Sequence, residues 1–266
     1  MSANESSVTR CAVIGLGEAG SRYAAALVDA GYTVTGFDPG QVASPDGVRR
    51  VDSAAEAAKD ADIVLVITSA KAARPVADSC REALVPGAWY ADFTSSSPAA
   101  MRDIAALVEQ AGAVFCDVAI LGPVTLSGAK TPLMVAGRGA TRIAEIASGW
   151  GASVEVVDGP PGSAMAHKLL RSVLMKGLAA IVDEAVSAGA AAGYEPWIRD
   201  QIAAQLAGDG HAVIDRFLTS TRTHAERRAQ EMRDTAQYLG ELRVPAEMTR
   251  ATESALRRLA AERKPA

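Results

Sequence analysis

Cysteine is scarce in this chain of 266 residues, which contains only three, at positions 11, 80 and 116. Because they are odd in number and widely spaced, they suggest neither a disulfide framework nor a metal-binding cysteine pair, and no metal site is expected. We interpret the three thiols as small buried side chains in a reducing compartment.

Aromatic residues are also few, at 5% of the chain against 49% hydrophobic residues in total. The core must therefore be built mostly from alanine, valine, leucine and isoleucine. A formal net charge of −4 provides no basic footprint for nucleic acid, and no nucleic-acid partner is expected.

Long uninterrupted apolar runs are missing as well. Residues 1–10 are polar and lack the apolar core of a signal peptide. Residues 173–193 form the most apolar long stretch, but Lys176, Asp183 and Glu184 interrupt it, which predicts a buried helix and no membrane contact. We expect a cytoplasmic protein.

Short apolar runs alternate with helical segments up to a glycine-proline turn at residues 159–162. This alternation indicates an α/β fold, a Rossmann-type doubly wound parallel sheet covered on both faces. The predicted strands are 11–14, 33–37, 62–67, 88–92, 114–117, 133–136 and 153–157. The predicted helices beyond the turn are 163–192, 197–208, 211–239 and 245–262. The sequence thus predicts an α/β domain at residues 1–159 and an all-α domain at residues 160–266.

A glycine-rich turn follows the first predicted strand and opens a helix, as a dinucleotide-binding turn requires. It consists of Gly15, Leu16, Gly17, Glu18, Ala19 and Gly20. In this interpretation Gly15 makes the tight turn, Gly17 lets the backbone approach a pyrophosphate, and Gly20 lets helix and strand pack closely. The N-terminus of the helix offers N–H groups to the phosphates. The alternative is a glycine-rich turn that binds no ligand.

Asp38 ends the second predicted strand, about twenty residues after the glycine-rich turn, where an acidic residue bonds ribose hydroxyls. A carboxylate there repels a 2′-phosphate, and residues 39–41 contain no arginine to offset it. The sequence therefore favours NAD as cofactor and leaves NADP open. In the alternative interpretation, Asp38 is a turn residue before Pro39 and Gly40.

The order of motifs resembles that of the β-hydroxyacid dehydrogenase family, which includes 3-hydroxyisobutyrate and 6-phosphogluconate dehydrogenases. Residues 13–20 are similar to the family's first motif, and residues 92–98 to the segment that borders its nicotinamide. Residues 117–123 lie where the family carries its substrate motif, and residues 162–168 resemble its catalytic-lysine motif. The resemblance covers nearly the whole chain. It implies an NAD(P)-dependent oxidoreductase with Lys168 as general acid and base.

The resemblance also implies two groups of binding residues. Besides the glycine-rich turn and Asp38, the cofactor group contains Thr68, Thr94, Ser95 and Arg233. The substrate group contains Leu121, Gly122, Pro123, Arg171 and Ser172. Leu121 replaces a serine of the family and Pro123 a glycine, while Arg171 and Ser172 replace two asparagines. Met175 stands where phosphogluconate dehydrogenases carry a catalytic glutamate, which argues against phosphogluconate as the substrate.

Lys168, Arg171 and Ser172 lie three and four positions apart and so share one face of a helix. A lysine moves protons near neutral pH when burial or a positive neighbour lowers its pKa, and Arg171 would be such a neighbour. The guanidinium of Arg171 also suits a carboxylate, so we expect a small acidic substrate. In the alternative interpretations Lys168 is a solvated helix residue and Arg171 forms a surface salt bridge. The alternative role of the hydroxyl residues Thr94, Ser95 and Ser96 is to cap the next helix.

Two other functions are compatible with the motifs. One is imine reduction, although imine reductases often carry aspartate or tyrosine in place of the lysine, so Lys168 argues against it. The other is a non-catalytic dinucleotide-binding module that senses redox state through partner contacts. The alanine-rich helix at residues 163–192 would be covered most easily between two subunits, so the sequence predicts a homodimer.

Overall fold

The computed structural model describes residues 10–262 and divides them into two compact units. The first unit ends at Arg171 and the second begins at Ser172, whereas the sequence analysis placed the domain boundary at residue 159. The difference arises because the first turn of the following helix belongs to the core of the first unit. Ala164 and Met165 are fully buried there.

An eight-stranded sheet forms the centre of the first unit, in the order β3-β2-β1-β4-β5-β6-β7-β8. Its strands are β1 (Arg10–Ile14), β2 (Thr33–Phe37), β3 (Val48–Arg50), β4 (Ile63–Val66), β5 (Trp89–Asp92), β6 (Val114–Ile120), β7 (Leu133–Ala136) and β8 (Val154–Val156). The strand order reverses between β1 and β4, which opens a crevice at the carboxyl ends of these strands. The predicted α/β fold class with a helical C-terminal part is confirmed.

Helices cover both faces of the sheet. They are α1 (Glu18–Asp29), α2 (Ala54–Ala58), α3 (Ala70–Cys80), α4 (Pro98–Gln110), α5 (Val124–Ser127), α6 (Ala140–Gly149) and the start of α7 (Ser163–Ala191). Successive residues of a strand face opposite sides, so each strand contributes to two cores. On one side Tyr90 stacks on Phe115, and on the other Tyr23 packs against Phe93 and Trp150.

Two features of the sheet differ from the sequence analysis. Strand β7 pairs antiparallel with β6, although a parallel sheet was predicted. The four-residue helix α5 rises only about 6 Å, too little to return the chain to the start of β6, so the chain reverses direction instead. Strand β3 was not predicted, because three residues that include Arg49 and Arg50 carry no apolar pattern.

The second unit contains α7 from Ser172 onward and four further helices: α8 (Glu195–Leu206), α9 (Gly210–Thr223), α10 (Ala225–Glu241) and α11 (Glu247–Glu262). The prediction of one continuous helix over residues 211–239 is wrong, because the chain leaves helical geometry at His224. The guanidinium of Arg228 holds this corner by donating to the hydroxyls of Ser220 and Thr221, at 3.2 and 3.1 Å. Neither glycine nor proline marks the break in the sequence.

Helix α7 is far more exposed than the sequence predicted. Of its 29 residues only Ala164 and Met165 are buried, while Val173 is 75% exposed and Leu174 64%. The prediction of a buried helix at residues 173–193 is therefore wrong for a single copy of the chain, because the helix is apolar on several sides and one chain covers only part of it. Within residues 10–262, no helix has the length and apolarity needed to cross a membrane.

The turn between β1 and α1 is shaped by its glycines. Gly15 has a φ of +98°, in the region that favours glycine, and its N–H donates to the carbonyl of Phe37 at 2.8 Å. A methyl group on Gly20 would lie 1.7 Å from the carbonyl oxygen of Gly15, whereas one on Gly17 would meet no atom of residues 10–262 within 4 Å. Close packing of α1 against the sheet therefore depends on Gly20, and Gly17 presents bare backbone to its surroundings.

The same substitution is expected to have different effects on stability at these two glycines. Alanine in a helix is ordinarily about 1 kcal/mol more favourable than glycine, but Gly20→Ala must displace backbone and should destabilise the first unit by about 1–3 kcal/mol. Gly17→Ala should leave stability nearly unchanged. Urea unfolding of both variants without cofactor measures the difference. Equal stability of Gly20→Ala and the wild type would contradict the packing role.

Candidate active site

The candidate residues follow the carboxyl ends of five neighbouring strands. The glycine-rich turn follows β1, Asp38 follows β2, Thr68 lies after β4, and residues 94–96 and 121–123 follow β5 and β6. Because these five strands are parallel, all of the segments lie along the same edge of the sheet. The sequence pattern thus brings the predicted cofactor and substrate segments to one edge.

Asp38 is anchored to the glycine-rich turn. Its Oδ2 accepts a hydrogen bond from the N–H of Leu16 at 2.8 Å, and its Oδ1 accepts one from the N–H of Gly40 at 2.7 Å. The Gly40 contact is the local turn that was the alternative interpretation of this residue. The Leu16 contact holds the carboxylate beside the start of α1, where a dinucleotide ribose would lie.

Arg50 is a residue of this region that the sequence analysis missed. From β3 its guanidinium donates to the carbonyl oxygens of Asp38, Gly40 and Val42, at 2.7, 2.6 and 2.5 Å. The loop after β2 contains no arginine of its own, but the edge strand brings one to it. The pair Arg49 and Arg50 was the available signal, and only the pairing of β3 with β2 reveals its position.

Thr68 lies directly against the glycine-rich turn. A Cβ on Gly15 would meet the Thr68 methyl at 2.9 Å, and the Thr68 hydroxyl donates to the carbonyl of Ser69 at 3.3 Å. In the described part of the chain, no side chain caps the N-terminus of α1 at Gly17. Glu18 and Ala19 occupy the first turn of that helix, so their backbone N–H groups lack acceptors within the helix.

Lys168 reaches the β5 segment because α7 begins very close to α4. Gly162 has a φ of +93°, and a Cβ there would lie 2.5 Å from the carbonyl oxygen of Pro98, so only glycine allows this approach. The Lys168 Nζ then donates to the Ser95 Oγ at 3.0 Å. Two residues that are 73 positions apart in sequence therefore meet at the edge of the sheet.

The hydroxyl residues after β5 have distinct contacts. Thr94 and Ser96 are buried and their hydroxyls bond each other at 2.7 Å, while Ser95 is exposed. Ser97, not Thr94 or Ser95, caps α4 by accepting from the N–H of Ala100 at 3.2 Å. The proposed capping role of Thr94 and Ser95 is therefore wrong.

The predicted substrate residues form two groups. Arg171 and Ser172 lie on α7, and residues 121–123 follow β6. The Nη1 of Arg171 donates to the carbonyl of Leu121 at 3.3 Å. The Leu121 side chain packs against the core, whereas Gly122 and Pro123 are exposed. Ser172 follows Lys168 by four positions on the same helix. Arg171 thus joins the lysine helix to the segment after β6.

Arg233, a predicted cofactor residue, lies on α10 in the second unit. Its Nε donates to the Oε1 of Glu253 at 3.1 Å, and its Nη1 to the Oε1 of Gln230 at 2.8 Å. Among residues 10–262, no group of three histidine, cysteine, aspartate or glutamate side chains is arranged to hold a metal ion.

Two buried carboxyl groups lie beneath these segments. Asp92 ends β5 and Asp117 lies on β6, and both are 0% exposed. Burial raises the pKa of Asp92 to about 6, and the N–H and hydroxyl of Thr94 oppose this effect. Burial also raises the pKa of Asp117, against bonds from backbone N–H groups and the positive charge of Lys168. Both residues end an apolar strand predicted from the sequence, and this position was the signal that could have identified them as buried carboxyl groups.

The raised pKa of Asp92 predicts how stability depends on pH. The folded state holds the proton of Asp92 more tightly than the unfolded chain does, because the pKa of an unfolded aspartate is about 4. The protonated Asp92 therefore contributes its full stabilisation below pH 4. This stabilisation is lost as the pH rises to about 6. Asp92→Asn cannot ionise and should lose less stability over this interval. Urea unfolding between pH 4 and 7 checks this. Parallel curves for both proteins would show that Asp92 does not titrate there.

Comparison with known proteins places these features in a family. Residues 10–157 match the NAD binding domain of 6-phosphogluconate dehydrogenase, and residues 190–259 match a domain of unknown function, DUF1932. A probable 3-hydroxyisobutyrate dehydrogenase of Mycobacterium bovis is 32% identical over 135 residues, which are 49% of this chain and 46% of that protein. The chain thus matches about half the length of this curated relative.

Solved structures match over most of the chain. A conserved hypothetical protein of Sinorhizobium meliloti 1021 is 29% identical with a TM-score of 0.62, covering 94% of this chain and 88% of that one. An imine reductase of Myxococcus stipitatus in complex with NADP+ has a TM-score of 0.79 at 20% identity, covering 96% and 95%, and shares the fold. A variant of that reductase is in complex with NAD+.

The family match covers the strands and turns on which the candidate site is built. It confirms the resemblance drawn from the motifs and the expectation of a nicotinamide dinucleotide cofactor. The chain belongs to the β-hydroxyacid dehydrogenase-like family of NAD(P)-binding oxidoreductases.

Proposed function

We propose that this protein transfers hydride between a nicotinamide cofactor and a small β-hydroxy acid, or a related alcohol and ketone, with Lys168 as general acid and base. The observation that carries the proposal is the contact of 3.0 Å between Lys168 Nζ and Ser95 Oγ. It joins the lysine motif to the segment that borders the nicotinamide in the family that this chain resembles.

Oxidation of an alcohol removes a hydride from carbon and a proton from oxygen. A dinucleotide held by the glycine-rich turn and Asp38 would supply the acceptor for the hydride. The proton then requires a base within hydrogen-bond reach of the substrate oxygen, and neutral Lys168 can accept it at Nζ. Ser95 restricts the position of that amine from the opposite segment. In the reverse direction the ammonium returns the proton as the ketone oxygen gains charge.

Arg171 is suited to hold an acidic group on the substrate. It lies three positions from Lys168, one turn along the same helix, and its contact with the Leu121 carbonyl points it toward the segment after β6. A guanidinium binds a carboxylate through two parallel hydrogen bonds. A β-hydroxy acid would then present its hydroxyl to Lys168 and its carboxylate to Arg171.

Asp38 supports NAD as the preferred cofactor. Its carboxylate, held by Leu16 and Gly40, would accept hydrogen bonds from the ribose hydroxyls and repel a 2′-phosphate. The guanidinium of Arg50 is engaged by three loop carbonyls, and its charge reduces this repulsion. We therefore expect a preference for NAD with measurable use of NADP.

The decisive experiment measures NAD and NADP reduction by their absorbance against a panel of β-hydroxy acids. Lys168→Ala should lower kcat about 100- to 10,000-fold, the usual contribution of a general acid–base residue. Dissociation constants for NAD should stay within about twofold, because the lysine acts on the substrate proton. Lys59→Ala, at an exposed lysine outside the candidate site and outside α7, is the control and should keep full activity.

Arg171→Ala in the same panel separates substrate binding from proton transfer. It should raise KM for an acidic substrate at least about tenfold, as expected for a lost charge-assisted hydrogen bond. An unchanged KM would remove Arg171 from the substrate site. Full activity of Lys168→Ala would exclude the lysine as the acid–base group.

Imine reduction is the second candidate, supported by the shared fold with the Myxococcus stipitatus enzyme. If no β-hydroxy acid reacts although NADH binds, a panel of cyclic imines tests it directly. Tight binding of NADH without turnover of either panel would instead favour a non-catalytic redox-sensing module.

We also propose that two copies of the chain associate through α7. Its large exposed apolar side chains include Leu169, Leu170, Val173, Leu174, Met175 and Ile181. The second unit adds an open cavity of about 530 Å³ lined mostly by apolar groups, among them Trp197 and Tyr238. Monomeric proteins rarely expose so extended an apolar surface, so a homodimer that covers it is expected.

Sedimentation velocity at micromolar concentration should therefore give the mass of a dimer. Leu174→Glu places a charge on the exposed face of α7 and should shift the protein toward monomer. Leu126→Glu, at an 83% exposed leucine on α5, is the matched control and should remain dimeric. A wild-type protein that sediments only as monomer would contradict the proposal.

A further inference from the structure

Asp92 and Asp117 take no part in the chemistry described above, yet they lie directly beneath it. They are register partners on the neighbouring parallel strands β5 and β6, so their side chains project from the same face of the sheet. Both are 0% exposed. Each carboxyl group accepts a hydrogen bond from a different segment of the candidate site.

Asp117 acts on the first turn of α7. The N–H groups of Ser163 and Ala166 find backbone acceptors in Pro160 and Gly162, at 3.1 and 2.9 Å. The N–H of Met165 donates instead to Asp117 Oδ2 at 3.2 Å, across 48 positions of sequence. Asp117 thus serves as an N-terminal cap supplied from the sheet, one turn before Lys168.

Asp92 acts on the segment that carries Ser95. Its Oδ1 accepts a hydrogen bond from the N–H of Thr94 at 2.8 Å, closing a turn immediately after β5. The Thr94 hydroxyl then bonds the Ser96 hydroxyl at 2.7 Å, which leaves Ser95 between two restrained residues. The turn therefore restrains the backbone on both sides of Ser95.

The second oxygen of each carboxyl group is unusual. Asp92 Oδ2 and Asp117 Oδ1 are buried without a hydrogen-bond partner among residues 10–262. Such oxygens destabilise a protein, so stability alone does not favour two aspartates at these positions. Buried polar groups that lower stability are typically found at functional sites. The charge of Lys168 also lowers the pKa of Asp117.

We propose that Asp92 and Asp117 form a pair of positioning residues that hold the two segments meeting at the Lys168–Ser95 contact. Asp117 fixes the helix that carries the lysine, and Asp92 fixes the turn that carries the serine. The structural part of this proposal stands without any reaction. Its catalytic consequence rests on the proposed function of Lys168.

Hydrogen–deuterium exchange of the full chain without cofactor tests the structural part. Asp117→Ala should speed exchange of the amides at residues 163–166 about five- to tenfold, the effect of a lost cap. Asp117→Asn keeps an acceptor oxygen and should restore most of the protection. Asp92→Ala should speed exchange at residues 94–97 while residues 163–166 stay near the wild-type rate.

Ser53→Ala is the matched control. Ser53 caps α2 by accepting from the N–H of Glu56 at 3.1 Å, so this variant removes a cap elsewhere in the same unit. It should leave both segments unchanged. If Asp117→Ala and Ser53→Ala exchange alike at residues 163–166, the positioning role of Asp117 is overturned.

Chemical labelling measures the reactivity of Lys168 relative to another lysine, and a general loss of stability would not change this ratio. Trace acetic anhydride modifies each amine according to its reactivity, and exposed Lys59 is the internal reference. Asp117→Ala frees the lysine helix and removes a negative neighbour, so the labelling ratio of Lys168 to Lys59 should rise several-fold. An unchanged ratio counts against the proposal, and so does a rise of equal size in Ser53→Ala.

Kinetics with a substrate found in the panel tests the catalytic consequence. Asp117→Ala should lower kcat at least about tenfold with little change in KM for NAD, and Asp117→Asn should recover most of it. In the Lys168→Ala background the same substitution should have almost no further effect on kcat, because both act through one group. Additive losses would overturn the catalytic role. If Lys168→Ala keeps full turnover while exchange and labelling change as expected in Asp117→Ala, the proposed function is refuted and the positioning role of Asp117 stands.

Discussion

The close approach of Gly162 to Pro98 is the constraint on which the candidate site depends. A side chain at Gly162 would overlap the Pro98 carbonyl, so the long helix can begin beside α4 only because this residue is glycine. From that starting point the direction of α7 carries Lys168 to the segment after β5 and Arg171 to the segment after β6. A backbone contact thus determines where two charged side chains lie.

The sequence predicted those parts of the molecule that local chemistry controls. Apolar strands that end at glycine or aspartate, together with the spacing of Gly15, Gly17 and Gly20, were sufficient to predict the fold class and the position of the dinucleotide-binding turn. The segments around Ser95, Leu121 and Lys168 were found through motifs, and the sheet order then explains why they meet. The sequence left their contacts open, because distances between segments depend on the packing of strands that are remote in the chain.

Other features had no local signal. Arg50 reaches the loop after β2 only through pairing of a three-residue edge strand, and the break at His224 is held by Arg228 from the next helix. The antiparallel direction of β7 follows from the reach of a short connection, which periodicity does not report. The exposure of α7 depends on the surface that packs against it. A pattern of apolar residues cannot indicate whether that surface belongs to the same chain or to another.

The guanidinium of Arg50 has a consequence for attempts to change the cofactor. It fastens the loop of residues 38–42 to the edge strand, so the shape of that loop and the pairing of β3 form one cooperative unit. Redesign confined to Asp38 would leave this clamp in place and keep the loop in its present shape. The shape of this loop therefore depends on residues of two strands, the second of which contributes no residue to the glycine-rich turn.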